Sequence, residues 1–277
     1  MIQIYLWIPL VSIVELVIGS LQVFFKTPPA SRRLSKIQIA LLFAAYRALF
    51  SCPTNSIGAE KKNDLYKKSL DSFPYLMEEN IYHNGFHSES SFGATSYFIK
   101  DENGNYLIDS PRFFNRLVSK INDLGGLKQI LLTHKDDVAD SGKFCDEFNC
   151  PAHIHEDDFS STKHAYATIW RGSKEIWYNN EMKIIPVPGH TKGSVVFLYK
   201  DTYLFTGDHL CWSQSLGQLI AFKNACWYDF DVQTKSMESL LDYNFTYILP
   251  GHGTPYKATN VDEMKRELEK CVKWMKA

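Results

Sequence analysis

Short apolar runs, rich in β-branched and aromatic residues, alternate with polar segments through most of the chain. This pattern is typical of buried strands. The runs that we interpret as strands are 96–100, 106–110, 129–133, 152–155, 183–187, 195–199, 203–206 and 246–249. The first two flank a polar segment containing Asn103 and Gly104, a pair that favours a hairpin turn.

Helical patterns are less frequent in the same region. They occur at about 111–122, 141–148, 232–242 and 260–276. The last begins with Asn260 as a candidate N-cap and has Glu263 three residues later. Because hairpin pairs lie at both ends of the region with helices between them, the pattern predicts an α+β fold. We expect two sheets with helices outside, rather than one parallel sheet built from βαβ units.

The first 25 residues form an almost wholly apolar run that is long enough to span a bilayer. Glu15 in its middle costs about 2.5–3.5 kcal/mol on insertion. Arg32 and Arg33 follow, and then a second apolar run at 37–50. This order indicates an organelle-targeting presequence, with a plastid as the favoured destination. A membrane anchor in contact with lipid through residues 1–25, or a misassigned start before a cytoplasmic protein, stays open.

The chain therefore divides into a leader at 1–59, a polar linker at 60–72 and one domain at 73–277. The formal net charge of −1 conceals an asymmetry between these parts. The leader has five basic residues and one acidic residue, which leaves 25 basic and 30 acidic residues for the rest. An acidic domain excludes a strongly basic nucleic-acid binder. The six cysteines include no C-x-x-C pair, so we expect free thiols.

Metal-capable side chains follow four of the predicted strands. The segments are QILLTHKDDVAD (129–140), IPVPGHTKGS (185–194), LFTGDHL (204–210) and YILPGHG (247–253). In three of them a glycine stands directly before the His or Asp, and glycine lets the backbone turn sharply toward a shared rim. Imidazole and carboxylate donors suit Zn²⁺, Mn²⁺ or Fe²⁺ better than a metal that prefers thiolates.

These segments, in this order, resemble the metallo-β-lactamase superfamily of hydrolases and oxidoreductases. ATSYFI (94–99) and YLIDS (106–110) match the opening hairpin, and the four histidine segments follow over residues 133–253. The resemblance covers residues 73 to about 257. It implies a four-layer αβ/βα sandwich with a metal centre at one edge.

The first metal motif departs from the superfamily pattern. The usual H-x-H-x-D-H is replaced by the residues at 134–139, of which only His134 matches. The variant resembles that of a subgroup known from plants and cyanobacteria, T-H-R/K-D-D-V-A-D-H. This chain keeps Asp140 of that pattern but has Ser141 in place of its final His.

The resemblance assigns metal-ligand positions to five residues. They are His134, Asp136, His190, Asp208 and His252. Asp208 matches the bridging carboxylate, and Asp136 replaces a His. We expect a divalent metal centre of one or two ions, Zn, Fe or Mn, and additional carboxylates shift the preference toward Mn²⁺ or Fe²⁺.

The resemblance also implies chemistry. A coordinated metal lowers the pKa of bound water from about 15.7 to near 7, and the resulting hydroxide attacks a small ester, thioester or related substrate. Asp137 and Asp140 are candidates for the catalytic carboxylate that orients this water, although an Asp before a helix also serves as an N-cap. Lys192 and Trp212 are candidate substrate contacts.

Two other functions stay open at this point. One is a mononuclear iron oxygenase or oxidoreductase on the same fold. The other is a degenerate, non-catalytic binding module, as the altered first motif suggests. A small-molecule substrate is expected in either enzyme, and a nucleic-acid substrate is not. The sequence does not indicate an oligomeric state.

Overall fold

The structure, a computed structural model, describes residues 72–277. Residues Phe73–Ala277 form one compact unit. The predicted leader at 1–59 and all but the last residue of the predicted linker at 60–72 lie outside the described residues. The predictions of a targeting presequence or a membrane anchor concern that leader and therefore also lie outside them. Within residues 72–277, no helix is both long enough and apolar enough to cross a membrane.

A seven-stranded sheet forms the first half of the domain. Its strands, in spatial as well as chain order, are β1 (Tyr75–Glu78), β2 (Ile81–His83), β3 (Tyr97–Ile99), β4 (Tyr106–Ile108), β5 (Gln129–Leu131), β6 (Ala152–His155) and β7 (Ala167–Trp170). Strands β1 to β4 pair antiparallel, and β4 to β7 pair parallel. The parallel half therefore points the carboxyl ends of its strands to one edge of the sheet.

A six-stranded sheet forms the second half. Its strands are β8 (Ile176–Trp177), β9 (Met182–Pro186), β10 (Val195–Tyr199), β11 (Tyr203–Gly207), β14 (Tyr247–Pro250) and β15 (Tyr256–Lys257), in the spatial order β15-β14-β11-β10-β9-β8. Strands β11 and β14 are parallel, and every other pair is antiparallel. A separate hairpin consists of β12 (Cys211–Ser213) and β13 (Gln218–Ile220).

Within residues 72–277, four α-helices flank the sheets. They are α1 (Asn115–Asp123), α2 (Ser141–Phe148), α3 (Phe230–Ser239) and α4 (Val261–Met275). Helices α1 and α2 connect β4 to β5 and β5 to β6, so the right-handed crossover rule places both on the same face of the first sheet. The α4 N-cap is as expected, because the Asn260 side chain accepts the Glu263 N–H at 2.9 Å.

Two apolar cores within residues 72–277 join the sheets to each other and the second sheet to helices α3 and α4. One lies between the sheets and includes Ile99 and Leu131 from the first sheet with Phe197 from the second. The other lies between the second sheet and helices α3 and α4. Strand β10 contributes to both, because Phe197 faces the first core while Val196 faces the second. The α+β, four-layer fold is confirmed.

Candidate metal centre

Six metal-capable side chains leave their strands toward the edge where the two sheets meet. His134, Asp136 and Asp137 lie in the loop after β5, and the loops after β9, β11 and β14 carry the other three. Those three are His190, Asp208 and His252. The donors are therefore shared equally between the sheets.

The first cluster consists of His134, Asp136 and His190. Each of the three offers a ligand atom, and these atoms lie within 4.8 Å of one another. The imidazole rings of His134 and His190 stand nearly perpendicular, with centroids 4.8 Å apart. His190 Nε2 lies 3.7 Å from Asp136 Oδ2, which is too long for a hydrogen bond.

The second cluster contains His134, Asp137 and Asp208, whose ligand atoms also lie within 4.8 Å of one another. Asp208 lies between the clusters, because its Oδ2 is 3.7 Å from His190 Nε2 and 3.9 Å from His134 Nε2. Its other oxygen pairs with His252 Nδ1 at 2.7 Å. The arrangement offers two neighbouring cation positions with one carboxylate reaching both.

Buried polar atoms in the first cluster make no hydrogen bond to any described residue. They are His134 Nε2, Asp136 Oδ2 and both ring nitrogens of His190. Leaving such atoms unpaired costs about 1–3 kcal/mol each. Two imidazoles and a carboxylate aimed at a common point are a donor set for a divalent transition metal, so the residues fit the expected ion.

A short chain of hydrogen bonds orients His134. Thr133 donates its hydroxyl to the Asp109 carboxylate at 2.9–3.0 Å and lies 2.9 Å from His134 Nδ1. Because that hydroxyl has only one proton, it accepts the Nδ1–H of His134. The lone pair of His134 is then on Nε2, which faces the cluster. Asp109 and Thr133 were not assigned from the sequence, where their roles depend on a contact between two strands.

The carboxylates and imidazoles of the site shift one another's pKa values. Burial raises the pKa of Asp208, but its hydrogen bond with His252 and the charges of His134, His252 and His190 outweigh burial and hold the pKa at about 2. Its interaction with His190 lowers the pKa of Asp136. Burial lowers the pKa of His134 to about 4. At neutral pH Asp136 and Asp208 are therefore ionised and His134 is neutral, which are the protonation states that bind metal.

Burial also raises the pKa of Asp109 to about 7, although the hydrogen bonds from Thr133 oppose this shift. The nearby charge of Asp208 acts in the same direction as burial, and that of His252 opposes it. Asp109 therefore responds to the charge of the site while contacting it only through Thr133.

Close packing brings the ligand loops together at the glycines. Gly207 has φ +49°, and a Cβ there would lie 2.4 Å from Thr133 Oγ1. A Cβ at Gly251 would lie 2.6 Å from Asp137 Oδ2 and 3.0 Å from Asp208 Oδ1. The glycines before Asp208 and His252 thus leave room for the second cluster.

The two candidate catalytic carboxylates occupy different surroundings. Asp137 is buried in the second cluster. Asp140 is at the N-cap of α2, where it accepts the Phe113 N–H at 2.8 Å and pairs with Lys143 at 2.9 Å. Its partners are therefore backbone and helix groups, and it is absent from both clusters.

Ser141 directly follows Asp140 and is the first residue of helix α2. Its hydroxyl is buried and lies 2.6 Å from the Tyr166 hydroxyl. A Cβ on the next residue, Gly142, would lie 3.2 Å from the Tyr166 ring. The tyrosine thus covers this position.

The candidate substrate contacts already have partners in the protein. Lys192 pairs with Asp157 at 2.7 Å on the surface. The Trp212 ring stacks on Tyr256 with centroids 4.3 Å apart, and the Trp212 backbone bridges to Thr254. Neither side chain belongs to the His/Asp clusters.

Asp158, which was not predicted as a site residue from the sequence, lies in a one-turn 3-10 helix (Glu156–Asp158) after β6. Its buried carboxylate accepts hydrogen bonds from both the loop that carries His134 and the loop that carries His190. The segment HEDD gives no periodic signal for this role, because the two loops meet only in the folded domain.

Comparisons with known proteins test the fold and leave the reaction open. No protein-family model matches the chain. The uncharacterized protein YmaE of Bacillus subtilis (strain 168) is 26% identical over 133 residues, which cover 47% of this chain and 48% of the relative. The chain thus spans about half the length of the curated relative it matches.

Solved structures match a larger share of the chain. The B3 metallo-beta-lactamase BLEG-1 matches with a TM-score of 0.52 and 18% identity over 67% of this chain and 96% of that one. The metallo-beta-lactamase DIM-1 matches with a TM-score of 0.54 and 18% identity, over 70% of this chain and 95% of that one. The metallo-beta-lactamase superfamily protein ST1585 from Sulfolobus tokodaii matches with a TM-score of 0.50 and 17% identity, over 73% of this chain and 88% of that one. The described domain has the fold of metallo-β-lactamase superfamily structures.

Proposed function

We propose that this protein is a metal-dependent hydrolase that acts on a small ester, thioester or related substrate. The observation that carries the proposal is the convergence of His134, Asp136 and His190 through buried polar atoms that have no hydrogen-bond partner among the described residues. The likeness in fold to metallo-beta-lactamases such as BLEG-1 and DIM-1 supports a hydrolytic reaction.

The two clusters suggest how the donors divide. His134, Asp136 and His190 would hold a first ion, and Asp137 and His252 would complete a second position or orient the substrate, while Asp208 reaches both positions. A bound divalent ion lowers the pKa of coordinated water and polarises a carbonyl oxygen. Asp136 and Asp208 are already ionised at neutral pH, so their charge needs no proton transfer before the ion binds.

Asp137 is the carboxylate that we assign to proton movement. It is buried, and it shares the second cluster with Asp208. The hydrogen bond to His252 occupies Oδ1 of Asp208, so Asp208 is less suited to exchange protons. A carboxylate beside the reacting atoms can accept a proton from the attacking water and return it to the leaving group.

Two residues whose backbones contact candidate ligands carry exposed aromatic side chains. Phe92 is 74% exposed, and its carbonyl lies 3.2 Å from His252 Nε2. Trp227 is 62% exposed, and its backbone N–H donates to the His190 carbonyl at 2.8 Å. Apolar rings held at the mouth of a polar site suit a substrate with an apolar group next to its scissile bond. We propose an aryl or alkyl ester or thioester of this kind.

One observation favours a second candidate function, that of a mononuclear iron oxygenase or oxidoreductase. The first cluster has two histidines and one carboxylate, which is the donor set of many non-haem Fe(II) oxygenases. Replacement of an imidazole by Asp136 also favours a harder ion than Zn²⁺. The two candidates predict different metals and different co-substrates. Metal content and activity, measured on one preparation of the protein, therefore distinguish the hydrolase from the oxygenase.

Metal analysis of the purified full chain tests both candidates. We expect bound transition metal in the wild type and its loss in Asp208→Asn. Asp201→Asn is the matched control, because Asp201 lies on the surface and pairs with Lys183 at 3.3 Å, away from both clusters. Hydrolysis of aryl esters or thioesters by the metal-loaded chain supports the hydrolase, and one iron with oxygen uptake supports the oxygenase.

Wild-type protein without metal after loading with Zn²⁺, Mn²⁺ and Fe²⁺ would overturn both candidates. Metal bound without turnover of esters, thioesters or oxygen would instead support a non-catalytic binding module. Trp227→Ala should raise KM for substrates with apolar groups and leave metal content unchanged, which separates the rim from the metal centre.

A further inference from the structure

We propose that Asp158 is a positioning residue that holds the loop of His190 against the loop of His134 and so sets the geometry of the first cation position. The inference rests on the proposed function, because it concerns the same metal centre. Asp158 itself lies outside both clusters.

The contacts of Asp158 reach both loops. Its Oδ2 accepts the Lys135 N–H at 3.1 Å and the Thr191 hydroxyl at 2.5 Å. Its Oδ1 accepts the Gly193 N–H at 2.9 Å. The residue is only 3% exposed, so water does not compete for these bonds. Hydrogen bonds to a buried carboxylate are roughly twice as strong as neutral ones.

The positions of the donors tie Asp158 to the first cluster. Lys135 stands between His134 and Asp136, and Thr191 directly follows His190. Each of the three ligands is therefore next in sequence to a group that Asp158 binds. Asp208 and His252 leave other strands, β11 and β14, and neither is next in sequence to a group that Asp158 binds. Loss of Asp158 should thus disturb the first cation position more than the second.

Other residues would not replace this carboxylate. A Cβ at Gly193 would lie 2.7 Å from the Asp158 nitrogen and 2.8 Å from its Cβ, so the loop packs directly on Asp158. A glutamate side chain is longer than this space allows. Asparagine keeps one acceptor oxygen and directs an N–H₂ group at a donor, which leaves at least one buried donor without a partner.

Asp157 is a matched control one residue away. Its carboxylate is partly exposed and pairs with Lys192 at 2.7 Å on the surface. Asp157→Asn makes the same chemical change as Asp158→Asn in the same turn. It removes a surface ion pair, which is worth about 0–1 kcal/mol.

The experiment is cobalt titration of the full-length wild type, Asp158→Asn and Asp157→Asn against a competing chelator, followed by visible absorption of the bound Co²⁺. We expect Asp158→Asn to weaken the binding of one Co²⁺ equivalent by about 10–100-fold and to change its absorption bands. The binding of any second equivalent should weaken less, because Asp158 contacts no group next in sequence to Asp208 or His252. Asp157→Asn should match the wild type in both readouts.

The outcomes separate the two proposals. Wild type that binds no Co²⁺ overturns the proposed function and the role of Asp158 together. Wild type that binds Co²⁺ with Asp158→Asn unchanged overturns only the role of Asp158. If Asp158→Asn does not fold, the Co²⁺ affinities of Thr191→Val and Thr191→Ser test the same role. The serine keeps the hydroxyl donor and should bind Co²⁺ as the wild type does, and equal binding by both variants would overturn the inference.

Discussion

Asp137 and Asp140 lie three residues apart, and their environments differ in ways that bear on their roles. Asp137 is buried beside Asp208 and against Gly251. Asp140 contacts the Phe113 N–H and Lys143. Only Asp137 is near the groups that we expect to contact substrate. The structure thus favours Asp137 for catalysis and gives Asp140 a task in joining α2 to the segment before α1.

Asparagine at each of these positions tests the distinction. Asp137→Asn should lower kcat for the best ester or thioester substrate by about 100-fold or more, since the amide cannot accept a proton. Asp140→Asn should change kcat by only a few-fold, because the asparagine oxygen still accepts the Phe113 N–H. Steady-state kinetics of the metal-loaded variants measures both effects. Equal losses in the two variants would contradict the assignment.

Single residues with a strand-end signal were predictable from the sequence, and residues that join loops were not. His190 and Asp208 each follow an apolar strand and a glycine, so local pattern alone placed them at the rim. Asp158 follows β6 without such a signal, and its partners lie 23 to 35 residues away along the chain. A role that depends on such contacts is visible only once the loops have met.

At the scale of elements, the turns after the strands are fixed by packing against neighbouring helices. Gly189, directly before His190, has φ +150°, and its carbonyl accepts the Asp229 N–H at 3.0 Å. A Cβ at Gly189 would lie 2.3 Å from the Cα of Gln233 in helix α3. The first turn of this helix therefore determines where the His190 loop runs.

Gly189→Ala should destabilise the fold by about 3 kcal/mol, because the clash is with helix backbone and neither element can move alone. Gly217→Ala is the control. Gly217 also has a positive φ of +63°, but a Cβ there meets no atom within 4 Å. Its cost should be the backbone strain alone, about 1 kcal/mol. Urea denaturation of the two variants measures the difference, and equal midpoints would exclude the clash.

Whole strands were predicted where both faces are buried. The run at 195–199 coincides with β10, whose residues alternate between the two apolar cores. The strands that were missed each have two to four residues, and most of them are partly or wholly exposed; they are β1, β2, β7, β8, β12, β13 and β15. Helix α1 was expected from 111 but begins at Asn115. The preceding residues are extended toward Asp140, as the Phe113 bond shows, and this contact is not local in sequence.

At the scale of the whole molecule, the candidate ligands are divided between the two sheets. Three come from the loop after β5 in the first sheet, and three come from the second sheet. An ion bound to both groups would link the sheets across the edge of the shared core. Metal binding should therefore stabilise the complete domain rather than one half of it.

Removal of metal tests this link. With free metal at about 1,000 times Kd, binding contributes about 4 kcal/mol, so chelation should lower Tm by roughly 10 °C. Asp208→Asn should show little change on chelation, since its metal is already lost, and Asp201→Asn should behave as the wild type. Calorimetry with and without chelator measures these shifts. A wild-type Tm that does not respond to chelator would contradict a metal that joins the sheets.

The division of ligands along the chain also has a consequence for synthesis. The first three donors are made within four residues, 134–137, whereas the last, His252, follows more than a hundred residues later. A growing chain offers first a small, carboxylate-rich set that holds a transition ion only weakly. The complete set exists once β14 has joined β11. Tight metal binding is therefore expected only after both halves of the domain have been synthesised and their sheets have packed together.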